Sequence, residues 1–205
     1  DEGAEAIIWS AKCTDEVVKK AKDMNLRLTR MEDGFIRSVG LGSDFNHPYS
    51  LVLDPKGIYY DPKRPSCLEQ ILRHIQERPD LALLVDRAAR LRKLMVEHHL
   101  SKYNVTRKSE LKELENIPQN RRVILVPGQV DDDASVRRGG GEIQSNRQLL
   151  ARVRQGNPEA YIVYKPHPDV ESGNRIGKIP QEILEKTADL VVKGYSLEDL
   201  WPYIN

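Results

Sequence analysis

Long apolar runs are missing from this chain. None approaches the roughly 18 residues that a membrane-spanning helix requires, which excludes a spanning helix from the sequence. Cysteine is scarce: Cys13 and Cys67 lie far apart without CxxC spacing, so there is no disulfide framework and no zinc ribbon, and both fit reduced thiols in a reducing compartment. An excess of either charge is also missing. Lys plus Arg number 32 against 31 Asp plus Glu, and a net charge of +1 excludes a general nucleic-acid binder, which would carry a basic surplus. The opening DEGAEA is acidic where a secretory leader would be basic, and it lacks an initiator Met, so the sequence reads as a fragment. Internal repeats and low-complexity tracts are absent. What remains is globular, 39% hydrophobic and 31% charged over 205 residues, enough for one large domain or two small ones.

Apolar spacing divides the chain into three stretches. AIIWS, from Ala6, is a short buried-strand run. DEVVKKAKDMNL has helical spacing at Val17, Val18, Ala21 and Met24, with acids first and lysines later, and RLTRM predicts the next strand. YSLVLD and GIYYD, joined by Pro55, Lys56 and Gly57, predict a hairpin. From Ser66 the pattern turns helical. Ser66 and Glu69 form a capping-box pattern for SCLEQILRHI, and the next helix carries a stripe of Leu81, Leu84, Ala88, Leu91, Leu94 and Met95. RKSELKELENIPQNRR is polar and reads as a linker. From Arg122, VILVP, NRQLLARVRQ, YIVY, a helix, a short strand at Leu190–Val192 and a final helix start restore the alternation of an α/β fold with a helix-covered parallel sheet. The expected division is a first sheet region (1–65), a helical insert and linker (66–118), and a second sheet region (119–205), with both sheets incomplete.

The unusual polar residues follow strands, where ligands bind in parallel α/β sheets. In MEDGFIRSVGLG, Glu32 and Asp33 precede Gly34, Arg37 follows four residues after Asp33, and Phe35 and Ile36 are expected core anchors. The stretch is either a structural turn with an Asp33–Arg37 pair or a ligand-facing hinge. GQVDDDASVRR holds Gln129, Asp131, Asp132, Asp133, Ser135 and Arg138. It is either a solvated loop or a binding loop; consecutive carboxylates in an extended loop diverge, which disfavours one metal held by all three. In KPHPD, two prolines fix the backbone around His167, with Lys165 two residues before it. That spacing suits a phosphate or carboxylate anion; the alternative is a rigid turn with a surface histidine.

These motifs, EDGFIRSVGLGS, PYSLVLDPKGIYYDPKRPSCLEQIL, VPGQVDDDAS and YKPHPDV, closely resemble the bacterial capsular polysaccharide KpsC/LipA family, in its order and through nearly the whole chain. The resemblance implies a GT-B-like architecture of two Rossmann-like halves. It implies a retaining β-Kdo glycosyltransferase that uses CMP-Kdo as donor and a Kdo-primed lysophosphatidylglycerol glycolipid as acceptor. It further implies a peripheral place at the cytoplasmic face of the inner membrane, other capsule assembly and export proteins as partners, no cofactor and no metal. Asp133 maps onto the family's nucleophile and Glu32 onto the base. Lys165, His167, Gln129, Ser135 and Arg138 fall on the donor side, Asp33 and Arg37 on the acceptor side or in the turn, with Arg37 or Arg138 facing a sugar carboxylate. Another nucleotide-sugar GT-B enzyme and a non-catalytic assembly module are the alternatives. Family modules continue beyond this sequence, so the 205-residue chain alone is expected to transfer little Kdo, bind CMP weakly and self-associate.

Overall fold

The computed structural model describes residues 3–104 and 113–204. The chain divides into two compact units: Asp1–Ser38 with His47–Lys102, and Val39–Asn46 with Tyr103–Asn205. Among the described residues each unit carries one three-stranded sheet.

In the first unit, β1 (Glu5–Trp9) pairs in parallel with β2 (Arg27–Asp33), and α1 (Asp15–Asp23) connects them. Thr14 caps α1 by accepting from Val17 N, and acids in the first turn with lysines in the last complement the helix dipole. β3 (Leu51–Asp54) runs antiparallel to β2, with Glu32 opposite Val52 and Asp33 opposite Leu51. The strand therefore runs past RLTRM and takes in both acids, which the sequence had placed on the turn.

The expected hairpin does not form, because residues 57–61 are not a strand. Asp54 Oδ1 accepts from Lys56 N and Gly57 N, and Oδ2 from Cys67 N, each at 2.9 Å. Amides that a returning strand would have used are gathered on one carboxylate instead. Burial alone would raise the Asp54 pKa, but the hydrogen bonds from Gly57, Cys67 and Lys56 hold it below its ordinary value.

α2 (Cys67–Arg73) starts with the expected capping box between Ser66 and Glu69. α3 (Leu81–Glu97) forms as its spacing predicts, yet none of its side chains is fully buried. Periodicity specified the helix and its stripe; it did not specify a partner for the stripe.

In the second unit, β4 (Val123–Pro127), β5 (Tyr161–Lys165) and β6 (Leu190–Val191) form a parallel sheet in chain order. Its helices are α4 (Ala134–Gly139), α5 (Asn146–Gly156), α6 (Pro168–Glu171), α7 (Gln181–Thr187) and α8 (Leu197–Leu200). Both faces are covered, which is why its strands read as continuous apolar runs. Ile162 and Tyr164 pack with Val126, Leu150 and Leu184 on one face. Val163 packs with Val123, Val192 and Leu200 on the other, where Leu114 and Ile117 join them. The supposed linker thus supplies two core side chains through a tight turn at Leu114–Asn116, while 105–112 lies outside the described residues. Burying each such side chain contributes about 1.5–3 kcal/mol, so two apolar residues in a polar segment decide where it packs.

Candidate active site

Glu32, Asp33 and Arg37 lie in the first unit. The Tyr60 hydroxyl donates to Glu32 Oε1 at 3.0 Å and is in hydrogen-bond contact with Ser10 Oγ at 2.8 Å. The Tyr60 hydroxyl thus orients the Glu32 carboxylate. Asp33 and Arg37 pair at 2.7 Å, and Arg37 Nη1 donates to Ser38 Oγ at 2.9 Å. The Arg37 guanidinium is buried and committed to the turn. Arg37 N and Ser38 N both donate to Lys102 O, and Tyr49 N donates to Arg37 O. Gly34 is needed for close approach: a Cβ there would lie 2.0 Å from Ser50 Oγ. Phe35, expected in the core, is 60% exposed, with its ring centroid 5.2 Å from that of Tyr59.

The remaining site residues lie in the second unit, at the carboxyl ends of β4 and β5 and in the loops and short helices that follow them. The three aspartates diverge as their spacing suggested. Asp131 Oδ1 accepts from Asn146 N at the start of α5 (2.9 Å), and Asp132 Oδ1 pairs with Arg175 Nη2 (2.8 Å). Asp133 caps α4: its Oδ1 accepts from Ser135 N at 2.8 Å and Ser135 Oγ at 2.6 Å. Both bonds fall on one oxygen and so set the direction of the other. Gln129 is exposed and Arg138 is partly exposed near the end of α4.

Lys165 is buried at the end of β5. His167 caps α6: its Nδ1 accepts from Asp169 N at 3.1 Å, so the neutral ring carries its proton on Nε2. Asp169 Oδ2 stands 3.7 Å from the same Nδ1, and the Tyr103 ring meets the imidazole edge-on at 5.9 Å. Asp169 Oδ1 in turn accepts from Ser43 Oγ at 2.5 Å, and Asn174 Nδ2 donates to Ser43 Oγ and Asp44 Oδ1. The GSD segment of the glycine-rich stretch is therefore docked on the histidine turn.

A cavity of about 670 Å³ opens beside this turn, between the ends of β5 and β6, the end of α6 and the start of α7. Tyr164, Pro166, Val170, Lys178 and Lys193 are among its lining residues; Lys165 and His167 are not. It is the size of a small-molecule site, with two cations in a partly apolar wall. Burial, and then the charge of Asp131, push the Tyr164 phenol up to about 12, so it remains a neutral hydrogen-bonding group at physiological pH.

The residue most clearly missed from sequence is Asn146, 2% exposed. Its Nδ2 donates to Gln129 O (2.6 Å) and Gly177 O (2.9 Å), and its Oδ1 accepts from Gln129 N (2.7 Å). One amide thus joins the β4 loop to the segment that follows α6, through backbone groups that no sequence pattern marks. Asn146→Ala leaves these buried groups unsatisfied and is expected to destabilise the protein by about 3 kcal/mol. Denaturant unfolding checks this, and an unchanged midpoint would mean that the loops are held by other contacts.

Comparisons with known proteins agree on a family. The family model described as capsule polysaccharide biosynthesis protein matches residues 5–202. The chain is 48% identical over 175 residues to the capsule polysaccharide modification protein LipA of Neisseria meningitidis serogroup B, covering 85% of this chain and 24% of LipA. It is 44% identical over 151 residues to the lipopolysaccharide-processing protein LpsZ of Rhizobium meliloti, covering 74% of this chain and 34% of LpsZ. Among solved structures, Thermosulfurimonas dismutans KpsC, described as a beta Kdo 2,4 transferase, has a TM-score of 0.76 at 30% identity, over 99% of this chain and 61% of that one. KpsC of the same organism described as a beta Kdo 2,7 transferase has a TM-score of 0.69 at 33% identity, over 98% and 57%. The chain spans about a quarter of the length of LipA and a third of LpsZ.

Proposed function

The chain belongs to the capsule polysaccharide biosynthesis protein family, and from that premise we propose that it is part of a GT-B-like, retaining Kdo glycosyltransferase. The donor is CMP-Kdo, and the acceptor is a Kdo-primed lysophosphatidylglycerol glycolipid at the inner face of the cytoplasmic membrane. The first unit serves the acceptor side and the second unit the donor side. Likeness to KpsC over nearly the whole chain is the observation that carries this reading.

Kdo is a ketose with a carboxylate on its anomeric carbon. Breaking its bond to CMP requires a nucleophile and a place for the departing phosphate. Asp133 attacks the anomeric carbon through the oxygen not engaged by Ser135; the C–O bond to CMP breaks, and its electron pair leaves on the phosphate. Lys165 and His167 neutralise that charge, the histidine as an Nε2–H donor. Gln129, Ser135 and Arg138 complete the donor side. Glu32 then takes the proton of the acceptor hydroxyl as that oxygen displaces Asp133. Two inversions give net retention. Asp33 and Arg37 hold the turn that follows Glu32.

The donor half of this scheme is tested by titrating CMP calorimetrically. Lys165→Met and His167→Ala are each expected to weaken CMP binding about tenfold or more, as loss of a charge-assisted hydrogen bond implies. Because Lys165 is buried, its contribution is expected to change little with salt, unlike that of a surface lysine. Unchanged affinity in both variants would return KPHPD to a purely structural turn.

A further inference from the structure

Arg30 lies in the middle of β2, and the sequence analysis gave it no role. It is 6% exposed and has no hydrogen-bond or ion-pair partner among the described residues. The other buried or part-buried arginines differ. Arg37 is paired with Asp33, and Arg154 with Asp189 and backbone carbonyls. None of the Arg30 nitrogens is among the buried polar atoms that lack a partner, so the stem is buried while the guanidinium, always charged, reaches solvent and is open to a ligand.

Side chains two apart on a strand share a face, so Arg30 and Glu32 lie on the same side of β2. Across the sheet Arg30 is opposite Asp54, but that carboxylate accepts from the amides of Lys56, Gly57 and Cys67 and makes no ion pair with Arg30. Glu32 is engaged by Tyr60. The face thus holds an oriented carboxylate beside a guanidinium that makes no hydrogen bond or ion pair among the described residues.

We infer that Arg30 is a substrate-binding residue whose counter-ion is the carboxylate of the acceptor's terminal acid sugar. The planar guanidinium fork matches a carboxylate in a way that a point charge does not. Pairing there fixes the sugar ring relative to Glu32 and makes the acid group a condition of acceptance. Arg37, the alternative from sequence, is held in its turn by Asp33 and Ser38. The inference rests on the assignment of the first unit to the acceptor, but its binding arm does not depend on turnover.

Free Kdo is titrated against the 205-residue chain and its Arg30→Gln variant by ligand-observed NMR, with Kdo methyl ester and inorganic phosphate as separate probes. Arg30→Gln is expected to weaken Kdo binding at least tenfold and to leave the ester unaffected. Equal affinities in the two forms, or binding by neither, overturn the proposal, as does an Arg30-dependent site that takes phosphate and ester as well as it takes the acid. Thermal unfolding without ligand separates a structural role: Arg30→Met is expected to hold or raise Tm, and a marked fall means that the cation serves the fold. In the intact transferase, Arg30→Gln is expected to raise KM for the acid acceptor at least tenfold with little change in kcat, and Arg30→Lys to recover part of it. Transfer with an unchanged KM refutes the inference and leaves the Kdo-transferase assignment standing. Arg30-dependent Kdo binding in a protein that transfers no Kdo refutes the assignment instead.

Discussion

Asp133→Asn in the intact protein is expected to cut Kdo transfer by roughly 10³-fold or more while leaving the fold in place. The amide keeps a carbonyl oxygen to accept from Ser135 N and Ser135 Oγ, so the cap on α4 survives. On the proposed mechanism what is lost is the nucleophile, because an amide does not form the glycosyl ester. Its neighbours make informative controls. Asp131→Asn keeps an acceptor for Asn146 N, and Asp132→Asn breaks the pair with Arg175; either change acts on loop geometry and costs far less than loss of a nucleophile. Initial rates with all three variants decide the matter. Near-normal turnover by Asp133→Asn, with collapse in either neighbour, would move the nucleophile along the loop.

Glu32→Gln is expected to lower transfer by about 10²–10⁴-fold, the usual worth of a positioned general base. Its signature differs from that of Asp133→Asn. On the proposed mechanism formation of the glycosyl-enzyme needs no base, so a burst of one CMP per enzyme persists and the covalent species accumulates, visible as a mass increment on the protein. Tyr60→Phe removes the hydroxyl that orients Glu32 and gives a smaller loss of the same kind. Loss of the CMP burst and of the covalent species in Glu32→Gln would place this carboxylate in the first step.

Elements with strong local signals were legible in the sequence. The capping box at Ser66, the long helix from Leu81 and the three parallel strands of the second unit all formed as their spacing predicts. The failures share a physical cause, long-range competition for backbone or packing. Asp54 collected amides that the hairpin would have used. Leu114 and Ile117 were drawn from a polar segment into a core that only the folded sheet creates. Phe35 stayed largely exposed because the turn is anchored by an ion pair and backbone bonds, without needing its ring. At the site, the aspartates diverge as the sequence suggested, but in a turn that ends in the cap of α4 and not in extended backbone. The docking of Ser43 on Asp169 joins residues 126 positions apart, and the bridging by Asn146 and the lack of a partner for Arg30 among the described residues likewise depend on tertiary neighbours that no spacing rule contains.

The most direct measurement is the mass of the acceptor after incubation of the intact protein with CMP-Kdo and a synthetic Kdo-terminated lysophosphatidylglycerol. A gain of one Kdo residue, with matching release of CMP, is the expected result. An unchanged acceptor mass with CMP-Kdo, together with a gain from a UDP-linked sugar, would contradict it.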